Sequence, residues 1–386
     1  MNIALLLAGQ GTKITEQNKA LWLGNEAARA VIETAEKVLG EPIRDWFTED
    51  LSKDTRKAQL ATYVASICMY ELYKQHVGLY PSHVLGHSLG ELTALTIAGA
   101  FDYETGLKLV NIRGTAMKEA IDGQESTGMM ALFASPDKVE ALLQGETDVF
   151  AANYNSRKQT VIAGNKDAIQ AFAKKHGLEG IVLGVSGAFH TSYMQGASNE
   201  VLEQLAGFSF NPHFNTEVIS NKHAGPYRSE SIREEIASQI ISPVQWQQSV
   251  DYAVSQGVQL FVDLSPSGMF VKMLGDLKTV YAFHNEESIA LLCKELKDDI
   301  EVSRHYSLFA RALGIIVSTR NNSQDAEAYE NIVVSGYNQI KSQIGKEETP
   351  EAVAHTLQLL ELILRTKEVP EEEIQFYRNK LAWKVS

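Results

Sequence analysis

The sequence predicts an α/β fold in three parts. These are a large domain with a mostly parallel sheet and a nucleophile elbow, an inserted ferredoxin-like βαββαβ small domain, and a helical C-terminal appendage. Three observations carry this reading. Strand-length apolar runs alternate with helically spaced segments in the first third of the chain. Between Thr127 and Val185 the order changes to strand, helix, strand, strand, helix, strand. Beyond about Glu286 glycine becomes sparse and long helical patterns take over.

The run IALLLAG reads as a first buried strand. No basic residue precedes it, so it lacks the charged front of a signal peptide. Apolar residues from Asn25 to Val38 recur at helical spacing, and residues 59–77 read as a long, largely buried helix. SHVLG is a short strand, and ELTALTIAGA a helix ending near a glycine. In the next segment MMALFA is a strand. SPDKVEALL is a helix with Ser135 as candidate N-cap and Pro136 at its first position. DVFAANYN and QTVIAG are strands, KDAIQAFAKKHG is an amphipathic helix closed by glycine, and GIVLGV is a last strand. QLFVDLSPSG is a late core strand running into a turn. In the tail, TPEAVAHTLQLLELILR has Thr349 as N-cap, Pro350 at the first helical position and leucines on one face. The expected boundaries are 1–125 with 186–285 for the large domain, 126–185 for the small one and 286–386 for the helical region.

Composition excludes several function classes. The chain has 386 residues, 44% hydrophobic and 22% charged, an ordinary globular balance. No apolar run approaches the roughly 18 residues of a membrane span. A formal charge of -13 argues against non-specific nucleic-acid binding. The two cysteines, Cys68 and Cys293, lie in apolar contexts without CxxC spacing, and both are expected to pack in the core. Ten histidines are scattered with no HxxxH-type cluster, so no metal site is expected. A cytoplasmic enzyme is the default.

One short stretch carries chemistry. Gly86-His87-Ser88-Leu89-Gly90 fits G-x-S-x-G, placed where a strand ends and a helix begins. On such a turn the serine hydroxyl is lifted from the sheet edge, and the flanking glycines admit neighbouring chain. The N–H of Leu89 sits at the helix N-terminus, where developing negative charge is stabilised. Ser88 is therefore the candidate nucleophile. It needs a base. His87 is adjacent in sequence and should diverge from it, whereas His190 follows an apolar strand and small residues. Local sequence does not choose among the histidines.

GQG after the first strand, GHSLGE, RGTAM, NYNSRKQTVIAG, GAFH and SPVQW occur in that order. Over about residues 1–285 the chain resembles the malonyl-CoA:acyl carrier protein transacylase family. The resemblance implies that the large domain is hydrolase-like, that Ser88 is acylated and that His190 is its general base. It implies that the Gln239 backbone carbonyl orients that base in place of a triad carboxylate. The Gln10 and Leu89 N–H groups would form the oxyanion hole. Arg113 of RGTAM would grip a free substrate carboxylate with two parallel hydrogen bonds. Met117 and His87 join it as substrate-binding residues. Phe189 matches the malonyl-type version of its motif, where its bulk should crowd an α-methyl group. Malonyl-CoA is the implied donor and an acyl carrier protein the acceptor, with no metal or redox cofactor. Arg157 and Lys158, on the small domain's turn, are candidates for receiving the acidic carrier.

The chain departs from the family pattern in places. AGQGTK, with Ala8, Thr12 and Lys13, replaces the usual Pro-Gly-Gln-Gly-Ser-Gln. Arg157 stands where a proline usually follows NxNS, and SPSG stands where Gly-Pro-Gly is common. The helical tail lies outside the family core. Two other functions stay open at this level: a thioester hydrolase of the same fold that clears stalled carrier proteins, and a non-catalytic docking protein. The pathway, of fatty acids or of polyketides served in trans, is not set by the residues.

Overall fold

The structure, a computed structural model, describes residues 1–122, 126–185, 187–275, 277 and 279–383. The predicted junctions at 125 and 186 fall on 123–125 and Ser186, outside the described residues. The chain divides into two units, Met1–Tyr73 with Pro81–Leu292, and Lys74–Tyr80 with Cys293–Ser386.

The first unit is built on a five-stranded sheet. Its strands are β1 (Ile3–Leu7), β2 (Pro81–Gly86), β7 (Glu217–Ile219), β8 (Leu260–Asp263) and β9 (Val280–Ala282). They run in the order β7-β2-β1-β8-β9, and every pairing is parallel. All five residues of IALLL are buried. A continuous apolar run is what a central parallel strand needs, since helices cover both its faces. Ala4 and Leu6 share one cluster with Phe261, Trp246, Val250 and Phe270, beneath the helix Trp246–Ser255. Each fully buried large side chain of this kind contributes about 1.5–3 kcal/mol. The helix Gly90–Ile97 packs on β1 and β2. That packing fixes the strand-to-helix turn on which the site is built.

The inserted segment forms a second sheet. Its strands are β3 (Thr127–Leu132), β4 (Val149–Ser156), β5 (Gln159–Asn165) and β6 (Gly180–Val182), in the order β4-β5-β3-β6, all antiparallel. The helices Pro136–Leu143 and Lys166–Lys175 lie between them in sequence, so the order is the βαββαβ read from the chain. Leu132, Val139, Val149, Ile162, Ile169 and Phe172 form its core. Ser135 stands at the N-cap position, but its side chain makes no capping hydrogen bond. β4 joins the larger body through Val244, which exchanges backbone hydrogen bonds with Ala152 and Tyr154.

The second unit is helical. The helices Leu308–Ser318, Ser335–Lys341, Pro350–Thr366 and Glu371–Ala382 enclose a core that includes Phe309, Ile316, Ile340, Leu360 and Ile363. Thr349 caps the third of these by accepting the Ala352 N–H, as its sequence predicts. Gly336 permits close approach: a Cβ there would lie 2.8 Å from Ile363 Cδ1. Lys367, buried, donates to the carbonyls of Ile316 and Thr319 at the end of the first helix.

Cys68 is buried, whereas Cys293 is only partly so, which corrects the expectation that both are core residues. Cys293 falls near the end of a helix, and its thiol donates to the His76 carbonyl. Among the described residues no helix is long and apolar enough to cross a membrane, and no cluster of metal-ligating side chains occurs.

Candidate active site

β2 ends at Gly86 and the next helix begins at Gly90. Between them Ser88 adopts φ 52°, a left-handed conformation that is uncommon outside glycine. The two glycines are required by space. A Cβ on Gly86 would lie 1.9 Å from the Gly90 carbonyl carbon, and one on Gly90 would lie 2.4 Å from Leu7 O. Strand and helix cross so closely that only glycine fits at either place. Leu89 is buried at the helix start, where N–H groups lack intrahelical partners.

The turn aims Ser88 at a histidine. Ser88 Oγ and His190 Nε2 are 2.7 Å apart across 102 residues of sequence. His190 also has positive φ, 62°, and its N–H donates to Ile240 O. His190 Nδ1 lies 3.0 Å from the Gln239 carbonyl oxygen. A carbonyl only accepts, so Nδ1 carries the proton and Nε2 presents a lone pair to the serine hydroxyl. Gln239 is the last residue of the helix Ile232–Gln239. Its carbonyl therefore belongs to the partially negative end of that helix. Burial, and next the positive charge of Arg113, hold the imidazole down at about 3, so it is neutral at physiological pH.

Arg113 comes from the helix Tyr103–Asp122 and is 2% exposed. Nη1 donates to Gln59 Oε1 at 2.5 Å, and Nη2 donates to Gln239 Oε1 at 3.0 Å and to Ser88 Oγ at 3.3 Å. All three partners are neutral. The carboxyl that acts on it electrostatically is Glu91, itself pushed up to about 8 by burial and so largely protonated at neutral pH. Burial also lowers the guanidinium to about 10, which still leaves it charged. A buried cation held only by two side-chain amides and a hydroxyl is electrostatically incomplete, and an anion placed beside it would be strongly bound.

The remaining predicted residues surround this centre. Met117 lies one helical turn beyond Arg113, buried, with Sδ accepting from Gln59 Nε2. His87 turns away from Ser88, as expected for an adjacent residue. Its Nε2 is 2.9 Å from Asn155 Oδ1, and its ring packs on Trp246. Phe189 is buried, its ring edge close to Gly187. Gln10 follows β1, and its side-chain oxygen accepts from the Thr55 hydroxyl at 2.7 Å. A cleft of about 390 Å³ opens beside it, lined in part by Thr12, Lys13, Trp46 and Phe47. Arg157 is largely exposed, 3.8 Å from Asp251.

The model of the acyl transferase domain family matches residues 5–313. This chain belongs to the acyl transferase domain family. The acyltransferase is 29% identical over 393 residues to a malonyl CoA-acyl carrier protein transacylase of Bacillus subtilis. That alignment spans 96% of this chain and 97% of the relative. It is 34% identical over 284 residues to BaeC, a polyketide biosynthesis malonyl CoA-acyl carrier protein transacylase of Bacillus velezensis, covering 72% of this chain and 96% of the relative. The crystal structure of MCAT from Streptococcus pneumoniae superposes with a TM-score of 0.69 at 30% identity, covering 76% of this acyltransferase and all of that chain. The Bacillus subtilis relative thus aligns along nearly the whole chain, helical tail included.

Sequence reasoning missed four residues that the site uses. Glu91 was in view as the last letter of GHSLGE. Asn155 likewise stood in the quoted NYNS without a role, whereas Gln59 and Asn221 carry no local signal, because each reaches the site from a distant segment.

Proposed function

We propose that this acyltransferase moves a malonyl group from malonyl-CoA to the phosphopantetheine thiol of an acyl carrier protein through a malonyl ester on Ser88. The observation that carries the reading is Arg113: a buried guanidinium with neutral partners, 3.3 Å from the Ser88 hydroxyl. A hydroxyl poised for acyl transfer beside an uncompensated cation selects an acyl group that ends in a carboxylate.

In the first half-reaction His190 Nε2 takes the Ser88 proton as Oγ attacks the thioester carbonyl. The oxyanion is received by the N–H groups of Leu89 and Gln10, with the Leu89 group at the positive end of its helix. The tetrahedral intermediate collapses, the carbon–sulfur bond breaks, and coenzyme A leaves with the proton from His190. In the second half-reaction the carrier thiol gives its proton to His190 and attacks the ester, and Ser88 regains a proton as the new thioester forms. Gln239 holds the imidazole throughout. Its neutral carbonyl stabilises imidazolium less than a carboxylate would, and the burial of the pair deepens that difference.

Acyl exchange between two thiols changes no oxidation state, so the reading calls for no redox cofactor, and with His190 as base and two N–H groups for the oxyanion it calls for no metal. Arg113, with Met117 one helical turn away, positions the malonyl carboxylate so that water is poorly placed to attack the ester, and His87, turned toward Asn155, lines the site from the other side of the turn. Phe189 favours malonyl over methylmalonyl. The reading places the enzyme in the cytoplasm with its two soluble substrates, in fatty acid or polyketide synthesis.

The test is an assay with malonyl-CoA and a holo-acyl carrier protein that follows both malonyl-carrier and free malonate. The reading expects malonyl-carrier as the main product. Free malonate as the main product, at the same rate with or without carrier, would make the protein a hydrolase.

A further inference from the structure

Where β2 turns away into the nucleophile turn, its edge partner cannot follow. The pairing of β2 with β7 ends at Leu85 and Ile219. Two residues beyond, Asn221 takes over with its side chain. Its Nδ2 donates to Gly86 O at 2.6 Å, and its Oδ1 accepts the Ser88 N–H at 2.7 Å. The side-chain amide thus stands in for a backbone peptide and bridges both sides of the turn. Only one orientation of the amide satisfies both contacts, because Gly86 offers an acceptor and Ser88 a donor.

Asn221 is itself fixed. It is 1% exposed, its N–H donates to Glu91 Oε2 at 2.6 Å, and its carbonyl accepts from Gln245 N at 2.7 Å. Glu91 lies in the first turn of the helix that follows Ser88, so the loop is tied to the turn it holds. On the other side Gln239 Nε2 donates to Ser88 O at 2.7 Å. The serine is therefore gripped at both backbone polar groups by side chains from distant segments while it holds a left-handed φ.

We infer that Asn221 is a positioning residue for the nucleophile: its side-chain amide holds the turn so that Ser88 Oγ meets His190. The inference rests on Ser88 being the acylated residue. Asn221 touches neither Arg113 nor His190 in the hydrogen-bond network. Its loss should therefore slow the chemical step while leaving carboxylate binding intact, since misplacement of a reacting atom by about 1 Å costs on the order of 100-fold in rate.

The experiment is single-turnover malonylation of the full chain with malonyl-CoA, read by mass spectrometry, for wild type, Asn221→Ala and Asn221→Asp, with melting temperatures measured alongside. Asn221→Ala is expected to form malonyl-Ser88 about 100-fold more slowly, with KM for malonyl-CoA within about threefold of wild type. Asn221→Asp keeps the acceptor for Ser88 N–H and loses the donor to Gly86, and is expected to be slowed by about tenfold or more. It decides the matter if the alanine variant does not fold. Rates within about threefold of wild type, or a loss confined to KM, would overturn the inference. A wild-type enzyme that forms no malonyl-Ser88 would instead remove the reading beneath it, and the inference with it.

Discussion

Arg113 Nη2 donates to Ser88 Oγ across 3.3 Å, so the buried cation and the reactive hydroxyl belong to one hydrogen-bonded cluster. In the proposed reading, substrate charge and nucleophile position are thereby coupled within a single cluster. Arg113→Ala removes the partner of a buried carboxylate, an effect of about 2–5 kcal/mol or roughly 30- to 5,000-fold. The expected outcome is a fall of that order in kcat/KM for malonyl-CoA, with a much smaller change for acetyl-CoA. Competition between the two donors measures it. An equal loss for both would show that the guanidinium supports the fold rather than selecting the substrate.

The imidazole supplies a pH signature. Burial, followed by the Arg113 charge, brings His190 from 6.5 down to about 3. The acid limb of kcat/KM for malonyl-CoA should therefore lie well below pH 6.5, because this profile reports the free enzyme. Arg113→Gln removes a repelling charge and should move that limb upward. The same depression acts on stability. As pH falls from 6.5 toward 3 the unfolded histidine takes up a proton and the buried one does not, so the folded state loses stability across that window. Kinetic profiles and melting curves over this range check both statements. An acid limb at or above 6.5 would contradict the assigned state of the base.

The turn makes a steric demand. A Cβ on Gly86 would lie 1.9 Å from the Gly90 carbonyl carbon, and neither atom can move without parting strand from helix. Gly86→Ala is expected to destabilise the protein by about 2–4 kcal/mol and to abolish detectable transfer. Gly24→Ala, where a Cβ meets nothing within 4 Å, is the control, with a change of less than about 1 kcal/mol. Urea denaturation compares them. Equal stabilities would show that the turn relaxes more readily than its geometry implies.

Much of this architecture was legible in the chain because its signals are local. IALLL announces a buried parallel strand by being apolar without alternation. The βαββαβ order follows from periodicity and turn residues alone. Gly86 and Gly90 announce the turn because no other residue fits there. His190 was different: ten histidines offered themselves, and only the ordered set of motifs pointed to this one. Asn221 and Gln59 were illegible for a related reason. Their importance lies in contacts across 133 and 54 residues of sequence, and an isolated asparagine or glutamine gives no sign of what it will face. Ser135 shows the converse, a local signal fulfilled in position but not in hydrogen bonding.

The most direct measurement is intact-protein and peptide mass spectrometry after brief exposure to malonyl-CoA without carrier. The account predicts one malonyl group per chain, located on Ser88, absent in Ser88→Ala and discharged when holo-acyl carrier protein is added. A malonyl group on another residue, or carrier malonylation that persists in Ser88→Ala, would contradict it.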